Sequence, residues 1–216
     1  MIRVLLVDPR KLVRAGLMRL IEEEGGIEVV AEAESGDEAF LLVREQRPDA
    51  ALVDTRIANP GVLETVRRLI RIHEPLRVMA LGDPDCGPLP VRILELGASG
   101  FLSKDADGAE LRRALRELES GKRYVCAEVA RRVVLNEISN PGDPVGGLSS
   151  RELSVMLMLS EGHPRNEISD RLCISLKTVS TYRTRLLQKL GARNDVDLAH
   201  LALRHGLMVP PPRVGL

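Results

Sequence analysis

The sequence predicts a doubly wound, five-stranded parallel α/β sheet followed by a small all-α domain. Three observations predict it. Over the first 120 residues, short β-rich runs alternate with stretches of helical period five times, as strands joined by crossover helices do. The runs VLLV (4–7) and AALV (50–53) are apolar at every position, which suits strands covered on both faces. After residue 148 no strand pattern recurs, and apolar residues fall at helical spacing alone.

The strands expected are Ile2–Val7, Ile27–Ala33, Asp49–Asp54, Leu76–Leu81 and Ser99–Ser103. The helices between and after them are Arg10–Glu23, Gly36–Gln46, Val62–His73, Pro90–Leu96 and Ala106–Ser120. In the first helix Leu12, Val13, Leu17, Leu20 and Ile21 recur near i, i+4 and i+8. A further helix, about Ala127–Glu137, precedes SNPGDPVGG (139–147), whose two Pro and three Gly mark a linker. Ser149 or Ser150 is placed to cap the next helix, with Glu152 completing a capping box from Ser149. Gly162 and Pro164 separate it from Asn166–Leu172. Ser175 caps Leu176–Leu190, Gly191 ends it, and Asn194 or Asp195 opens the last helix, Val196–His205. The expected organisation is a first domain at 1–121, a helix and linker at 122–147, a second domain at 148–208 and a tail at 209–216.

With two Phe, two Tyr and no Trp in 216 residues, the cores must be aliphatic, and a base-stacking platform is not expected. Net charge is zero, but it is unevenly spread. Residues 1–135 hold 21 basic and 23 acidic side chains, and 136–216 hold 10 and 8. Within 171–194 stand six basic residues and no acid: Arg171, Lys177, Arg183, Arg185, Lys189 and Arg193. That excess points to a polyanion or to a solvated helix face. Cys86, Cys126 and Cys173 are widely spaced and read as small, buried or half-buried side chains. Neither they nor the four histidines have metal-ligand spacing. No apolar run approaches the roughly 18 residues of a membrane span, and no signal peptide is visible, so a cytoplasmic protein without membrane contact is expected.

In an open α/β sheet, polar chemistry gathers at the carboxyl ends of the strands. The first strand ends in Asp8, the third in Asp54, the fourth in Leu81-Gly82-Asp83 and the fifth in Phe101-Leu102-Ser103-Lys104. Two carboxylates and a lysine therefore meet on one rim. VLLVD, the acid after LV, and GFLSK together resemble a response-regulator receiver domain, over about residues 1–120, with a flavodoxin-like fold. The resemblance implies that a sensor histidine kinase phosphorylates Asp54, that Asp8 and Asp54 help to hold Mg²⁺, and that Lys104 pairs with the phosphoryl oxygens. It also implies a switch in which a hydroxyl ending the fourth strand, at the position of Gly82, moves an aromatic, at the position of Phe101. A cation and a lysine would neutralise charge on the transferred group. The chain departs from this pattern. The second acid after the first strand is Pro9, and the hydroxyl position is Gly82; neither supplies an oxygen. Asn59-Pro60-Gly61 also differs from the usual stretch after the acceptor. Asp83 or Asp85 is the alternative replacement for the missing ligand, disfavoured because their loop, GDPDCGPLP, starts one residue too late. The expectation is a weakened Mg²⁺ site and weak or absent phosphorylation at Asp54.

In the second domain, Leu148, Ser149, Arg151-Glu152, Gly162, Asn166-Glu167-Ile168, Leu172, Ile174-Ser175, Thr178-Val179 and Lys189-Leu190 resemble the LuxR/NarL-type helix-turn-helix. Read from the residues, Val179, Leu186 and Leu190 form a core stripe, with Tyr182 or Leu187 at its margin. Lys177, Ser180, Thr181, Thr184, Arg185 and Gln188 share the other side, which suits a helix in the major groove. By the resemblance, Ser180, Thr181 and Thr184 meet base edges, while Lys177, Thr178, Tyr182, Arg183 and Arg185 meet phosphates or a flanking base. Leu198, Ala199, Leu201, Ala202 and Leu203 make the last helix more apolar than a lone surface helix needs. In the family that helix forms a homodimer contact.

The whole chain resembles a NarL/LuxR-family response regulator, nearest the GacA/UvrY type. That implies a transcription factor binding double-stranded DNA, partnered with a sensor kinase. No nucleophile–base pair is visible, so an enzyme is not expected. Three readings follow: a DNA-binding dimer with an atypical receiver, a conventional phosphorylation-switched regulator, and a signalling adaptor that does not bind DNA.

Overall fold

Six strands form the sheet of the first unit, one more than expected. They are β1 (Ile2–Val7), β2 (Ile27–Ala33), β3 (Ala50–Asp54), β4 (Arg77–Gly82), β5 (Gly100–Ser103) and β6 (Tyr124–Val125). All neighbours are parallel, in the order β2-β1-β3-β4-β5-β6. The computed structural model describes residues 1–23, 25–138 and 145–208, so most of the linker expected at 139–147 and the whole of the tail expected at 209–216 lie outside the described residues. β6 was missed because two residues show no periodicity. It pairs with β5 through Gly100↔Tyr124 and Phe101↔Val125. Gly100 permits that approach, since a Cβ there would collide with the Tyr124 carbonyl. The sheet thus extends into the stretch expected to hold only a helix and linker.

The helices α1 (Lys11–Glu22), α2 (Gly36–Gln46), α3 (Val62–Ile72), α4 (Leu89–Glu95), α5 (Gly108–Glu119) and α6 (Ala127–Ile138) follow the strands in turn. The core under α1 and α5 is aliphatic, as the scarcity of aromatics requires: Val4, Leu6, Ile21, Leu52, Met79, Leu102, Leu115 and Leu118. The turn of strand order at β1/β3 opens a crevice at the carboxyl ends of those strands, which is where a doubly wound sheet carries its chemistry.

The second unit is all helical: α7 (Ser150–Ser160), α8 (Arg165–Leu172), α9 (Leu176–Leu190) and α10 (Asp195–Arg204). The Ser149 hydroxyl accepts from the Glu152 amide at 3.2 Å, and the Glu152 carboxylate accepts from the Ser149 amide at 2.8 Å. The Lys189 ammonium adds donations to that carboxylate and to the Gly147 carbonyl, tying α9 to the start of α7. Partial burial opposes ionisation of Glu152, but these bonds win and hold its carboxyl below the usual range. Its contribution is therefore complete above the ordinary glutamate pKa and is lost as pH falls through the lowered one. Ser149→Ala should cost about 1 kcal/mol, read as a shift in the urea midpoint at neutral pH.

Ser175 and Asn194 cap α9 and α10, and Gly191 (φ 62°) ends α9 in the left-handed region. Cys126 is buried and Cys86 half-buried, but Cys173 is exposed. The reason is local: Cys173 is the left-handed C-cap of α8 (φ 51°), which turns it outward. Among the described residues, no helix is long and apolar enough to cross a membrane.

Candidate phosphoacceptor pocket and nucleic-acid interface

β1 and β3 end side by side, and their last residues set Asp8 and Asp54 together, each 1% exposed. Lys104, from the end of β5, reaches Asp54 Oδ2 with its Nζ at 2.5 Å. The three residues expected at the rim are thus brought together. The Arg56 amide donates to Asp54 Oδ1 at 2.7 Å.

A fourth group, Arg10, completes the pocket and was not anticipated. Its Nη2 lies 3.0 Å from Asp8 Oδ2 and 3.0 Å from Asp54 Oδ2, so the guanidinium bridges the two carboxylates. Its Nε and its own amide both donate to Asp8 Oδ1, at 3.1 and 2.8 Å. Behind it the buried Arg14 donates to the Asp8 carbonyl at 2.7 Å and to Glu32 and Glu34, fixing the strand end from below. Burial opposes ionisation of Asp8, but Arg10 outweighs it and lowers the pKa of the acid. Burial, aided by the adjacent Asp8 carboxylate, pushes the Asp54 carboxyl up despite Lys104. A signal for Arg10 existed: a cation two residues beyond a strand-end acid.

Of the expected switch positions, Gly82 stands opposite Ser103 and Phe101 opposite Ala80 on the neighbouring strands β4 and β5, so the two are diagonal neighbours. The Phe101 ring is fully buried. A Cβ on Gly82 would lie 3.1 Å from the tip of that ring and 2.6 Å from the Thr55 hydroxyl. Thr55, the residue after the acceptor, therefore occupies the space that a side chain at 82 would need.

Mg²⁺ demands near-octahedral oxygen donors at about 2.0–2.1 Å. The carboxylates on hand are Asp8 and Asp54, and their facing oxygens are taken by Arg10 and Lys104. Among the described residues, no three His, Cys, Asp or Glu side chains converge as a metal cluster; Asp83 and Asp85 do not supply the missing oxygen. As arranged, the pocket offers the ion two carboxylates whose facing oxygens are already paired with cations, a poor fit for it.

On α9, Lys177, Thr181, Thr184, Arg185 and Gln188 are exposed, and fall at i, i+4, i+7, i+8 and i+11 along one face. Thr178, Ser180, Tyr182 and Arg183 are half-buried at its edges. Val179 and Leu186 are fully buried, while Leu190, Tyr182 and Leu187 sit at the margin of the core. The Thr181 and Thr184 hydroxyls donate to the Lys177 and Ser180 carbonyls, so outward they offer oxygen lone pairs and methyl groups. Thr178 shares its hydroxyl with the Ser175 cap.

Four of the six cations counted in 171–194 are held by acids of the same unit: Arg171 by Glu167, Arg183 by Asp195, Lys189 by Glu152 and Arg193 by Asp197. Arg183 is thus engaged in joining α9 to α10. Among the described residues, Lys177 and Arg185 have no ion pair. Arg165, which the sequence reading omitted, starts α8 and points its guanidinium at the Ser180 hydroxyl, 3.5 Å away. It adds a third exposed cation beside this face. On α10, Leu198 and Ala202 are buried, leaving Ala199, Leu201 and Leu203 half-buried and Val196 62% exposed.

Comparison with known proteins agrees with both halves of the chain. Residues 4–116 match the response regulator receiver domain, and residues 147–202 match the bacterial regulatory proteins of the luxR family. The chain is 41% identical to the response regulator UvrY of Escherichia coli (strain K12) over 209 residues, 96% of each chain. It is 40% identical to the response regulator GacA of Pseudomonas protegens, covering 96% of this chain and 98% of that one. Among solved structures, RcsB from Salmonella enterica serovar Typhimurium, bound to promoter rprA in the presence of phosphomimetic BeF3-, superposes with a TM-score of 0.74. That match covers 94% of this chain and 99% of RcsB at 21% identity, a likeness of fold.

Proposed function

The chain belongs to the response regulators that join a receiver domain to a LuxR-family helix-turn-helix domain, and on that premise we propose that it is a DNA-binding transcriptional regulator, acting as a homodimer, with an atypical receiver phosphorylated weakly or not at all at Asp54. The observation that carries the DNA-binding half is the exposed face of α9. Lys177 and Arg185 stand unpaired on it, beside the hydroxyls and amide of Thr181, Thr184 and Gln188. A helix with such a face fits the major groove, where the cations meet phosphates and the small polar groups meet base edges. A second copy, packed through the residual apolar surface of α10, would match a two-fold operator.

The receiver half rests on Pro9 and Gly82, which withdraw two oxygens from the phosphoryl pocket, and on the cations that already fill it. A sensor histidine kinase is the partner that a receiver implies. Conventional phosphorylation remains the second reading because Asp54 and Lys104 are both in place.

Fluorescence anisotropy with a labelled duplex, across a salt series, tests the DNA reading. Lys177→Ala and Arg185→Ala should each flatten the log–log salt slope by about one. Unchanged slopes from folded variants would leave the adaptor reading. Intact mass after a small phosphodonor, beside Asp54→Ala, tests the receiver. A stable adduct that is absent from the control would establish the conventional switch instead.

A further inference from the structure

We propose that Arg10 is the resident cation of the receiver pocket, holding by a covalently tethered guanidinium the place between Asp8 and Asp54 that a divalent ion would otherwise take. This deepens the reading of the receiver as atypical and rests on it. The geometry is specific. One nitrogen, Nη2, is equidistant from the facing oxygens of both acids, 3.0 Å from each. Nε grips the other Asp8 oxygen, so the guanidinium forks onto that carboxylate with two nitrogens. Such planar two-point pairing is the strong mode of arginine and is closed to lysine.

The sequence Asp8-Pro9-Arg10 builds this arrangement locally. The Arg10 amide donates to Asp8 Oδ1 at 2.8 Å, closing a turn around Pro9. Proline both removes an oxygen donor and restricts the backbone that presents the arginine. Pro9 and Arg10 are therefore one device: the residue that deprives the pocket of a metal ligand also delivers the replacement charge.

Charge supports the same conclusion. Asp8 and Asp54 bring two negative charges, and Arg10 and Lys104 bring two positive ones within hydrogen-bonding distance. Arg56 adds a third, with its Nε 3.8 Å from Asp54 Oδ1, so the cations around the two carboxylates already outnumber them. A dication entering the pocket would have to displace a cation tethered two residues away, or sit beside it in repulsion at short range.

The test is binding of Mn²⁺, followed by water-proton relaxation, and of Mg²⁺, followed by thermal unfolding of the full chain. The wild type should show no saturable Mn²⁺ site and no shift in Tm up to about 10 mM Mg²⁺, an ion held here by at most two carboxylates. Arg10→Ala should unfold at lower temperature without metal. It should also gain a saturable site, tighter than any in the wild type by roughly tenfold or more, since one close positive charge is gone. Its Tm should then rise with Mg²⁺, and Asp8→Asn added to Arg10→Ala should remove that gain. Arg10→Gln, which keeps most of the side chain, repeats the comparison if the alanine variant is poorly folded. A saturable wild-type site as tight as that of the Arg10 variants overturns the proposal, as does the absence of any gain in both variants. A phosphoryl adduct formed on Asp54 in metal-free buffer would instead overturn the weak-acceptor reading and leave the role of Arg10 standing.

Discussion

Leu186→Ala should destabilise the helical unit by about 2–5 kcal/mol, the usual range for emptying a fully buried leucine site. The position is unusually exposed to such a loss. Of the fifteen residues of α9, Val179 and Leu186 alone are fully buried. The rest of its attachment is the half-buried margin of Tyr182, Leu187 and Leu190 and polar links, from Arg183 to Asp195 and from Lys189 to Glu152 and the Gly147 carbonyl. The ion pairs are partly exposed, and screened pairs of that kind contribute little. Apolar burial, centred on Val179 and Leu186, therefore carries most of the fixing of the helix. A unit of some sixty residues has a total stability of roughly 3–9 kcal/mol, so one such substitution consumes much of it. The expected result is a lower urea midpoint for the helical signal and a matching loss of DNA affinity at temperatures where the unit melts. Leu176→Ala is the control, because that side chain is 53% exposed and its truncation should stay within about 0.5 kcal/mol. Equal stability of the two variants would mean that the polar links hold α9 in place.

The elements legible in the sequence are those in which one physical signal dominates. β1, β2, α2 and α9 have the expected ends because alternation or helical period stops at a turn residue or a cap. β6 was illegible because two residues cannot display a period, and its pairing depends on the missing side chain of a distant glycine, Gly100. Asp8, Asp54 and Lys104 were legible as strand-end polar residues. Arg10 was not, because a search for oxygen ligands around an acid overlooks a cation that performs the same neutralisation. Charge counting failed in the opposite direction on α9. The window 171–194 contains no acid, yet Arg183 and Arg193 find Asp195 and Asp197 just beyond it, and Lys189 finds Glu152 across the fold. Local net charge thus overstated the available positive surface, and Arg165, outside the window, was left out of it.

Gly82→Thr, the substitution that would restore the hydroxyl expected at the end of β4, should destabilise the receiver by about 1–3 kcal/mol or more through overpacking. The backbone itself presents no obstacle, because Gly82 is not among the residues with positive φ. The obstacle is steric. A Cβ at 82 would lie 2.5 Å from Thr55 Cγ2 and 2.6 Å from its hydroxyl, and 3.1 Å from the Phe101 ring. Neither neighbour has room to move: Thr55 is 9% exposed with its amide bound to the Leu81 carbonyl at 3.0 Å, and Phe101 is fully buried. The volume beside Asp54 holds one branched hydroxyl side chain, and Thr55 on β3's end supplies it in place of a residue on β4. A double-mutant cycle tests this account. Thr55→Ala removes both atoms nearest the new Cβ, so Gly82→Thr should cost less in that background, with a coupling of about 0.5–3 kcal/mol. Strict additivity would show that the two positions do not compete for one space. Coupling of the expected sign would place the hydroxyl's transfer from one strand end to the next alongside Pro9 and Arg10 as a second change to the same pocket. The Thr55→Ala/Gly82→Thr pair then returns the hydroxyl to the strand 4 position without altering the charges on Asp8, Asp54 or Lys104. Its adduct yield with a small phosphodonor, against that of the wild type, separates the effect of the hydroxyl's position from the effect of the cations.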